Sequence, residues 1–195
     1  MKRKNMVNHL GNYKQPPLGI LIRQAGFNAL ELMLVLAIIA IAIAVAIHVM
    51  AGNSDKQNSN QMISDVSGLM SNIHDAFASS SGGYTSLTTE MAIEAKLIPT
   101  DLRLTSDGKG VLNQFQGGKV DVAPGEDGDN FTITYTNVPS SVCNMGIAAL
   151  AGSGFNSIAV NDTAVYDATT SATVDAADIS SACKDTVNTL VFTAS

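Results

Sequence analysis

Residues 26–52, "GFNALELMLVLAIIAIAIAVAIHVMAG", decide how this chain is organised. Residues 32–47 are sixteen apolar residues in a row, and only His48 interrupts the apolar character before Ala51. A helix that rises about 1.5 Å per residue crosses a bilayer core of about 30 Å in roughly twenty residues. The segment therefore predicts a membrane-spanning helix, and Glu31 places a carboxylate directly before its apolar run.

Charge is divided unevenly between the two sides of this segment. Residues 1–26 contain five basic residues and no acidic one, whereas residues 27–195 contain six basic and seventeen acidic residues, a formal charge of −11. A basic stretch ahead of an apolar run keeps the N-terminus in the cytoplasm and sends the following residues across the membrane. The acidic body argues against nucleic-acid binding, which requires a basic surface.

The apolar segment alone is consistent with a plain membrane anchor or a secretory signal peptide. A signal peptide cut after Ala51 would release a soluble secreted binding domain, since small residues precede that bond. However, the apolar run is longer than the usual signal core of about 7–15 residues. The basic leader is also unusually long for a signal peptide.

The junction Gly26-Phe27-Asn28-Ala29-Leu30-Glu31-Leu32, followed by the apolar helix, resembles the processing site of type IV pilins and pseudopilins. The resemblance implies that a prepilin peptidase cuts after Gly26 on the cytoplasmic side and N-methylates Phe27. It also implies that residues 1–26 are a cleaved leader and residues 27–51 a retained transmembrane and assembly helix.

Glu31 lies one helical turn beyond the expected new N-terminus at Phe27. A carboxylate in a membrane helix costs about 2.5–3.5 kcal/mol at the bilayer centre and less near an end, so it usually marks function. The resemblance implies that Glu31 pairs with the N-terminal amine of a neighbouring subunit during assembly. Alternatively, Glu31 only sits at the lipid interface and favours the helix N-terminus.

The helix is expected to continue beyond the membrane, to about residue 79. Apolar residues recur there at steps of 4, 3, 4 and 4, which is an amphipathic helical stripe: Met62, Val66, Leu69, Ile73 and Phe77. The stretch "SSSGGYTS" at 79–86 then has turn chemistry. Residues 52–79 are therefore predicted to be the amphipathic half of one helix.

Residues 80–195 are predicted to form a globular α+β head with an antiparallel sheet laid on the long helix. Residues 91–97 predict a short helix ended by Pro99, and 140–152 a helix capped by Ser140 or Ser141. Another short helix is expected within 175–185. Strands are expected at 118–123, 130–136 and 189–194, with a hairpin loop at 124–129.

Cys143 and Cys183 both lie on the side expected to be exported. In an oxidising compartment such a pair is most simply a disulfide, although two unrelated buried thiols are the alternative. Closing a loop of about forty residues stabilises a fold by roughly 4 kcal/mol in the chain-entropy model. The region 143–183 is then bounded by a covalent link.

Features of the head resemble the type IVb subclass, which includes bundle-forming and conjugative thin-pilus pilins. The leader of 26 residues is long, as in that subclass. Cysteines in an "SSVC" helix and an "ACK" helix are similar to theirs, and so is a spaced run in the head. That run consists of Tyr84, Leu87, Ile98, Pro99, Asn113, Phe115, Gly117, Gly118, Val120 and Val122.

No group of residues predicts catalysis or a cofactor. His9, His48 and His74 are scattered and have no metal-site spacing to the cysteines. The acidic group Asp121, Glu126, Asp127 and Asp129 does not match a calcium-loop pattern. No nucleophile, base and orienting group occur together, so we expect neither an enzyme nor a metal site. Asn130 and Asn161 begin glycosylation sequons, which is weak evidence in such a chain.

The expected function is structural. The resemblance implies a pilus subunit that waits in the inner membrane and then polymerises with copies of itself into an extracellular fibre for adhesion, aggregation or conjugative contact. Its expected partners are the prepilin peptidase, the pilus assembly machinery, inner-membrane lipid before assembly and other copies of the chain. The alternatives are a secretion pseudopilin or minor pilin, and a soluble secreted binding domain.

Overall fold

The computed structural model describes residues 29–170 and 173–195, apart from the side chains of residues 30, 31 and 45–53. The chain divides into two compact units, Met1–Ala44 and Val45–Ser195. Helix α1 covers Ala29–Phe77, a length of 49 residues, close to the predicted limits of about 27 and 79.

The described part of the first unit is the apolar beginning of α1. Nine large apolar side chains between residues 32 and 43 are 41–72% exposed: Leu32, Met33, Leu34, Val35, Leu36, Ile38, Ile39, Ile41 and Ile43. They lie on every side of the helix. A helix that is apolar all round needs lipid or other helices around it.

In the second unit, α1 carries the amphipathic stripe that the sequence predicted. Its five apolar residues are at most 7% exposed and belong to the core: Met62, Val66, Leu69, Ile73 and Phe77. Steps of three and four place these side chains on one helix face, because an α-helix has 3.6 residues per turn. The stripe is therefore confirmed as the face that packs on the head.

The second unit contains a seven-stranded sheet in which every neighbouring pair is antiparallel. The strands are β1 Arg103–Leu104, β2 Val111–Leu112, β3 Lys119–Pro124, β4 Phe131–Pro139, β5 Ser157–Val160, β6 Thr163–Asp167 and β7 Val187–Ala194. Their order across the sheet is β1-β2-β3-β4-β7-β5-β6. The strand furthest along the chain thus lies between β4 and β5. The predicted α+β architecture is confirmed.

Helix α2, Thr89–Glu94, begins and ends earlier than the predicted 91–97. The side chain of Thr88 caps it by accepting a hydrogen bond from the backbone of Met91. At its end, Lys96 adopts a left-handed conformation (φ 58°), and the N–H of Leu97 donates to the carbonyl of Ala92. This Schellman arrangement ends the helix several residues before Pro99. The short helix was predicted correctly, but its predicted end was wrong for this reason.

Helix α3 covers Ser140–Leu150, but neither predicted serine caps it. Pro139 occupies the N-cap position, and its side chain makes no capping hydrogen bond. Ser140 Oγ donates instead to the carbonyl oxygen of Cys183 (2.5 Å), and Ser141 Oγ donates to Asp55 Oδ2 of α1 (2.7 Å). Both hydroxyls therefore hold α3 to distant parts of the unit.

Helix α4, Ala176–Ala182, falls inside the predicted 175–185 and is capped by the side chain of Asp175. The hairpin of β5 and β6 was not predicted. Its two-residue turn consists of Asn161 (φ 48°) and Asp162 (φ 65°), and two positive φ values are typical of a type I′ turn. The strands were missed because each is short.

Aromatic contacts join the core across its elements. The ring of Tyr84 lies 5.3 Å from that of Phe77 at the end of α1 and 4.7 Å from that of Phe131 in β4. The ring of Phe155 lies 5.5 Å from that of Phe192, which belongs to β7. The few aromatic residues of this chain thus connect the long helix to the middle of the sheet.

The head run singled out in the sequence has a structural explanation centred on Asn113, which is 2% exposed. Its Nδ2 donates to the carbonyls of Thr136 (2.9 Å) and Lys119 (3.2 Å), and its Oδ1 accepts from the N–H of Phe115 (2.9 Å). Gly117 follows with a φ of 73°. A buried amide that is fully bonded in this way fixes the turn between β2 and β3.

Candidate functional site

The apolar beginning of α1 is the first candidate site, because a large exposed apolar surface usually marks a place where another protein or a membrane binds. Gly26 and Phe27, the predicted cleavage and methylation residues, lie outside the described residues. Glu31 belongs to α1 by its backbone, and its side chain is not described. Among the side chains that the structure describes, no helical stretch is both long and apolar enough to cross a membrane.

The disulfide is the second feature that the sequence predicted. Cys143 and Cys183 form a bond with a Cα–Cα distance of 5.9 Å, and both side chains are fully buried. It joins α3 to the residue that ends α4, so the prediction is confirmed. The hydrogen bond from Ser140 to the carbonyl of Cys183 supports the same junction.

A polar groove of about 460 Å³ lies between β6 and α4. Its wall includes Asp178, Lys184 and Asp185. The side chain of Asn161 is fixed at one end, because its amide donates to Asn188 Oδ1 (2.9 Å) and accepts from the N–H of Thr189 (2.9 Å). The side-chain amide of Asn161, where the sequon begins, is therefore engaged in hydrogen bonds within the fold.

Metal binding finds no support in the acidic hairpin. Within the part of the chain that the structure describes, no group of three or more His, Cys, Asp or Glu side chains could hold a metal ion. His74 lies on the exposed side of α1, where its Nδ1 is 3.5 Å from Asp75 Oδ1. His9 lies outside the described residues, and the side chain of His48 is not described.

Asp65 is a buried acid that sequence reasoning missed. It lies three residues after Met62 and four before Leu69, so helical spacing already placed it on the buried face. It is 2% exposed. Burial raises the pKa of Asp65 to about 6, a hydrogen bond from Gln61 opposes that shift, and the charge of Asp101 adds to it.

Tyr135 of β4 is fully buried near this acid. Burial raises the pKa of its hydroxyl above the ordinary value, and the negative charge of Asp65 raises it further. Neither Tyr135 Oη nor Asp65 Oδ2 has a hydrogen-bond partner among the described protein atoms. Two polar atoms without partners thus lie in the contact between α1 and the sheet.

Comparison with known proteins gives a family match over most of the chain. The family described as PilS N terminal matches residues 52–195. The crystal structure of TcpA, a type IV pilin from Vibrio cholerae El Tor biotype, superposes with a TM-score of 0.51 at 14% identity, covering 71% of this chain and 99% of that one. This likeness shows a shared fold.

A second solved structure is the NMR structure of the type IVb pilin PilS from Salmonella typhi. It gives a TM-score of 0.43 at 25% identity and covers 69% of this chain and 94% of that one. A comparison with curated proteins finds no match.

Proposed function

This chain belongs to the PilS family and has the fold of a type IV pilin, and on that premise we propose that it is the major subunit of a type IVb-like pilus. The subunit is held in the inner membrane by its N-terminal helix, with its N-terminus in the cytoplasm. It then polymerises through that helix into an extracellular fibre.

The exposed apolar beginning of α1 is the observation that carries this proposal. Its nine large side chains are 41–72% exposed, although residues of that kind are normally buried. A soluble domain with such a surface would aggregate, whereas in a pilin the surface is covered both before and after assembly. Lipid surrounds it before assembly, and neighbouring α1 helices surround it in the fibre.

The residues around the junction take the roles that the family resemblance implies. Prepilin peptidase cuts between Gly26 and Phe27 and methylates Phe27. Glu31 neutralises the N-terminal amine of a neighbouring subunit, because an ion pair removes the cost of leaving either charge alone among apolar helices. The assembly machinery then extracts subunits from the inner membrane in the register that this pair sets.

The outward surface of the head is proposed to determine what the fibre contacts. The region 143–183 contains the hairpin of β5 and β6 and also α4, which both line the groove. Its disulfide keeps this surface folded outside the cell, where thiols become oxidised. The use that this surface serves is adhesion, aggregation or conjugative contact.

A secretion pseudopilin or minor pilin is the alternative with the same helix and the same cut. Abundance separates the two, because a major subunit dominates material sheared from the cell surface. The further alternative, a soluble domain cut after Ala51, loses the apolar helix altogether. Its mature chain would begin at Gly52.

The proposal is tested by expressing the chain with a prepilin peptidase and measuring its intact mass and N-terminal sequence. We expect a chain that begins with N-methylated Phe27. In a strain with the assembly machinery, Glu31→Gln is expected to be cut normally but to disappear from the sheared fibres. The matched control is Glu94→Gln, which removes an exposed carboxylate of the head. A mature chain beginning at Gly52 would end the pilin proposal.

A further inference from the structure

Among the residues that the structure describes, the side-chain carboxyl group of Asp65 accepts one hydrogen bond. Gln61 Nε2, one turn earlier on α1, donates to its Oδ1 at 2.9 Å. Its other oxygen, Oδ2, is buried and has no partner among the described protein atoms. An ionised carboxylate normally accepts several hydrogen bonds, so this environment solvates the charge poorly.

The groups that act on Asp65 come from three elements, and none of them is basic. Gln61 belongs to α1 itself. Asp101, on the turn before β1, accepts a hydrogen bond from the same Gln61 nitrogen (3.2 Å), so the amide links two carboxylates. Tyr135 acts on Asp65 from β4, and its buried hydroxyl has no hydrogen-bond partner among the residues that the structure describes.

Burial and the charge of Asp101 therefore oppose the ionisation of Asp65, and the hydrogen bond from Gln61 only partly offsets them. Burial removes water, Asp101 adds a second negative charge, and the one donor is a neutral amide that Asp101 shares. A proton on Asp65 removes the buried charge and with it the cost of keeping that charge away from water. The contact between α1 and β4 improves on protonation.

We propose that Asp65 is a proton-controlled contact that holds α1 more firmly to the sheet when it is protonated and less firmly when it is ionised. This contact lies within the second unit, and its pH dependence does not require the proposed assembly into a fibre. The stability of the packing between α1 and the sheet then depends on the pH of the surrounding solution.

The direction of the pH effect follows from linkage. The ordinary pKa of an aspartate is 3.8 and the pKa of Asp65 in the fold is about 6, so the folded state binds more protons than the unfolded state between these values. The stabilising contribution is complete below about pH 4 and is lost as the pH rises through about 6. Most paired carboxylates behave in the opposite way, because pairing lowers their pKa.

The test is urea unfolding of the full chain in detergent micelles at pH 5.0 and pH 7.5, followed by far-UV circular dichroism. Three proteins are compared: the wild type, Asp65→Asn and the control Asp121→Asn. Asn keeps an acceptor for Gln61 and cannot ionise. Asp121 is an exposed carboxylate on β3, so its loss changes the net charge equally without affecting the contact.

The wild type and Asp121→Asn are expected to lose stability between pH 5.0 and pH 7.5, by about tenfold in the unfolding equilibrium constant. Asp65→Asn is expected to lose that difference and to be the most stable of the three at pH 7.5. An equal pH dependence in Asp65→Asn and the wild type would overturn the proposal.

A second measurement does not depend on the variant folding. The carboxyl carbon of Asp65 in the wild-type chain can be titrated by ¹³C NMR. A midpoint near pH 6 supports the proposal, and a midpoint at or below that of exposed Asp121 overturns it. Asp101→Asn is expected to lower the midpoint of Asp65, because one neighbouring negative charge is removed.

Discussion

Gly118 packs directly against the buried amide of Asn113: a β-carbon at position 118 would lie 2.7 Å from Asn113 Nδ2 and equally close to the carbonyl oxygen of Thr136. Asn113 cannot move aside, because its amide already bonds Lys119, Thr136 and Phe115. The glycine and the asparagine of the head run are thus two parts of one turn.

Gly118→Ala is therefore expected to destabilise the protein by about 1–3 kcal/mol, as overpacking of a rigid site does. Urea unfolding measures the loss. Gly82→Ala is the control, since a β-carbon there has only an ordinary contact of 3.4 Å with Thr85. If both variants were equally stable, the close packing around Asn113 would not be rigid.

Lys96→Gly is expected to stabilise the protein by about 1 kcal/mol. Lys96 has a φ of 58° at the end of α2, a conformation that glycine adopts without the steric cost of a β-carbon. Thermal or urea unfolding provides the measurement. Lys96→Ala removes the same charge but keeps a β-carbon, so it should give little of the gain. A similar gain from both variants would attribute the effect to the charge.

Removing the disulfide by Cys143→Ala and Cys183→Ala together is expected to cost about 4 kcal/mol of stability in the chain-entropy model, since the closed loop spans 40 residues. Denaturant unfolding under oxidising conditions measures this loss. A reducing agent should destabilise the wild type and leave the double variant unchanged. A double variant as stable as the oxidised wild type would contradict the prediction.

Tyr135→Phe is expected to cost nothing or to stabilise the protein by up to about 1 kcal/mol. The phenol oxygen is buried without a hydrogen-bond partner among the described atoms, so its removal takes away a desolvated group. Tyr135→Ala, which also removes the ring, should cost about 3–5 kcal/mol. A clear loss in the phenylalanine variant would show that the hydroxyl is bonded in solution.

Local patterns in the sequence predicted the parts of the fold that depend on local physics. The stripe from Met62 to Phe77 was visible because helical period and burial act on the same residues. Strands β3 and β4 and the loop between them followed from alternation and turn residues in the same way. The disulfide was predictable because the chain has only two cysteines.

Other features depend on partners that are distant in sequence. Ser140 or Ser141 was expected to cap α3, but Ser140 donates to the carbonyl of Cys183, which only the folded chain brings near. The position of β7 between β4 and β5 has no local signal at all. Asn161 was interpreted as the start of a sequon, although Asn161 and Asp162 also suit the hairpin turn that they form.

The candidate functional residues likewise include some that local sequence indicates and one whose partners are distant in sequence. The junction at Gly26, Phe27 and Glu31 was interpreted from residue types, and it stays a prediction. Asp65 was overlooked because a single acid beside an apolar stripe is usually solvated. Its helical spacing was the available signal, and the partners that make it unusual come from β4 and from the turn before β1.

The central place of β7 has a consequence for the timing of folding. The strands β1–β4 and the hairpin of β5 and β6 are joined in the sheet only through residues 187–194. A chain that enters a compartment from its N-terminal side must keep these two parts separate, with open edges, until that stretch arrives. Such late closure is slow and leaves strand edges open to other chains. A chaperone that covers exposed strands during this interval would therefore protect the head more than one that acts after the sheet has closed.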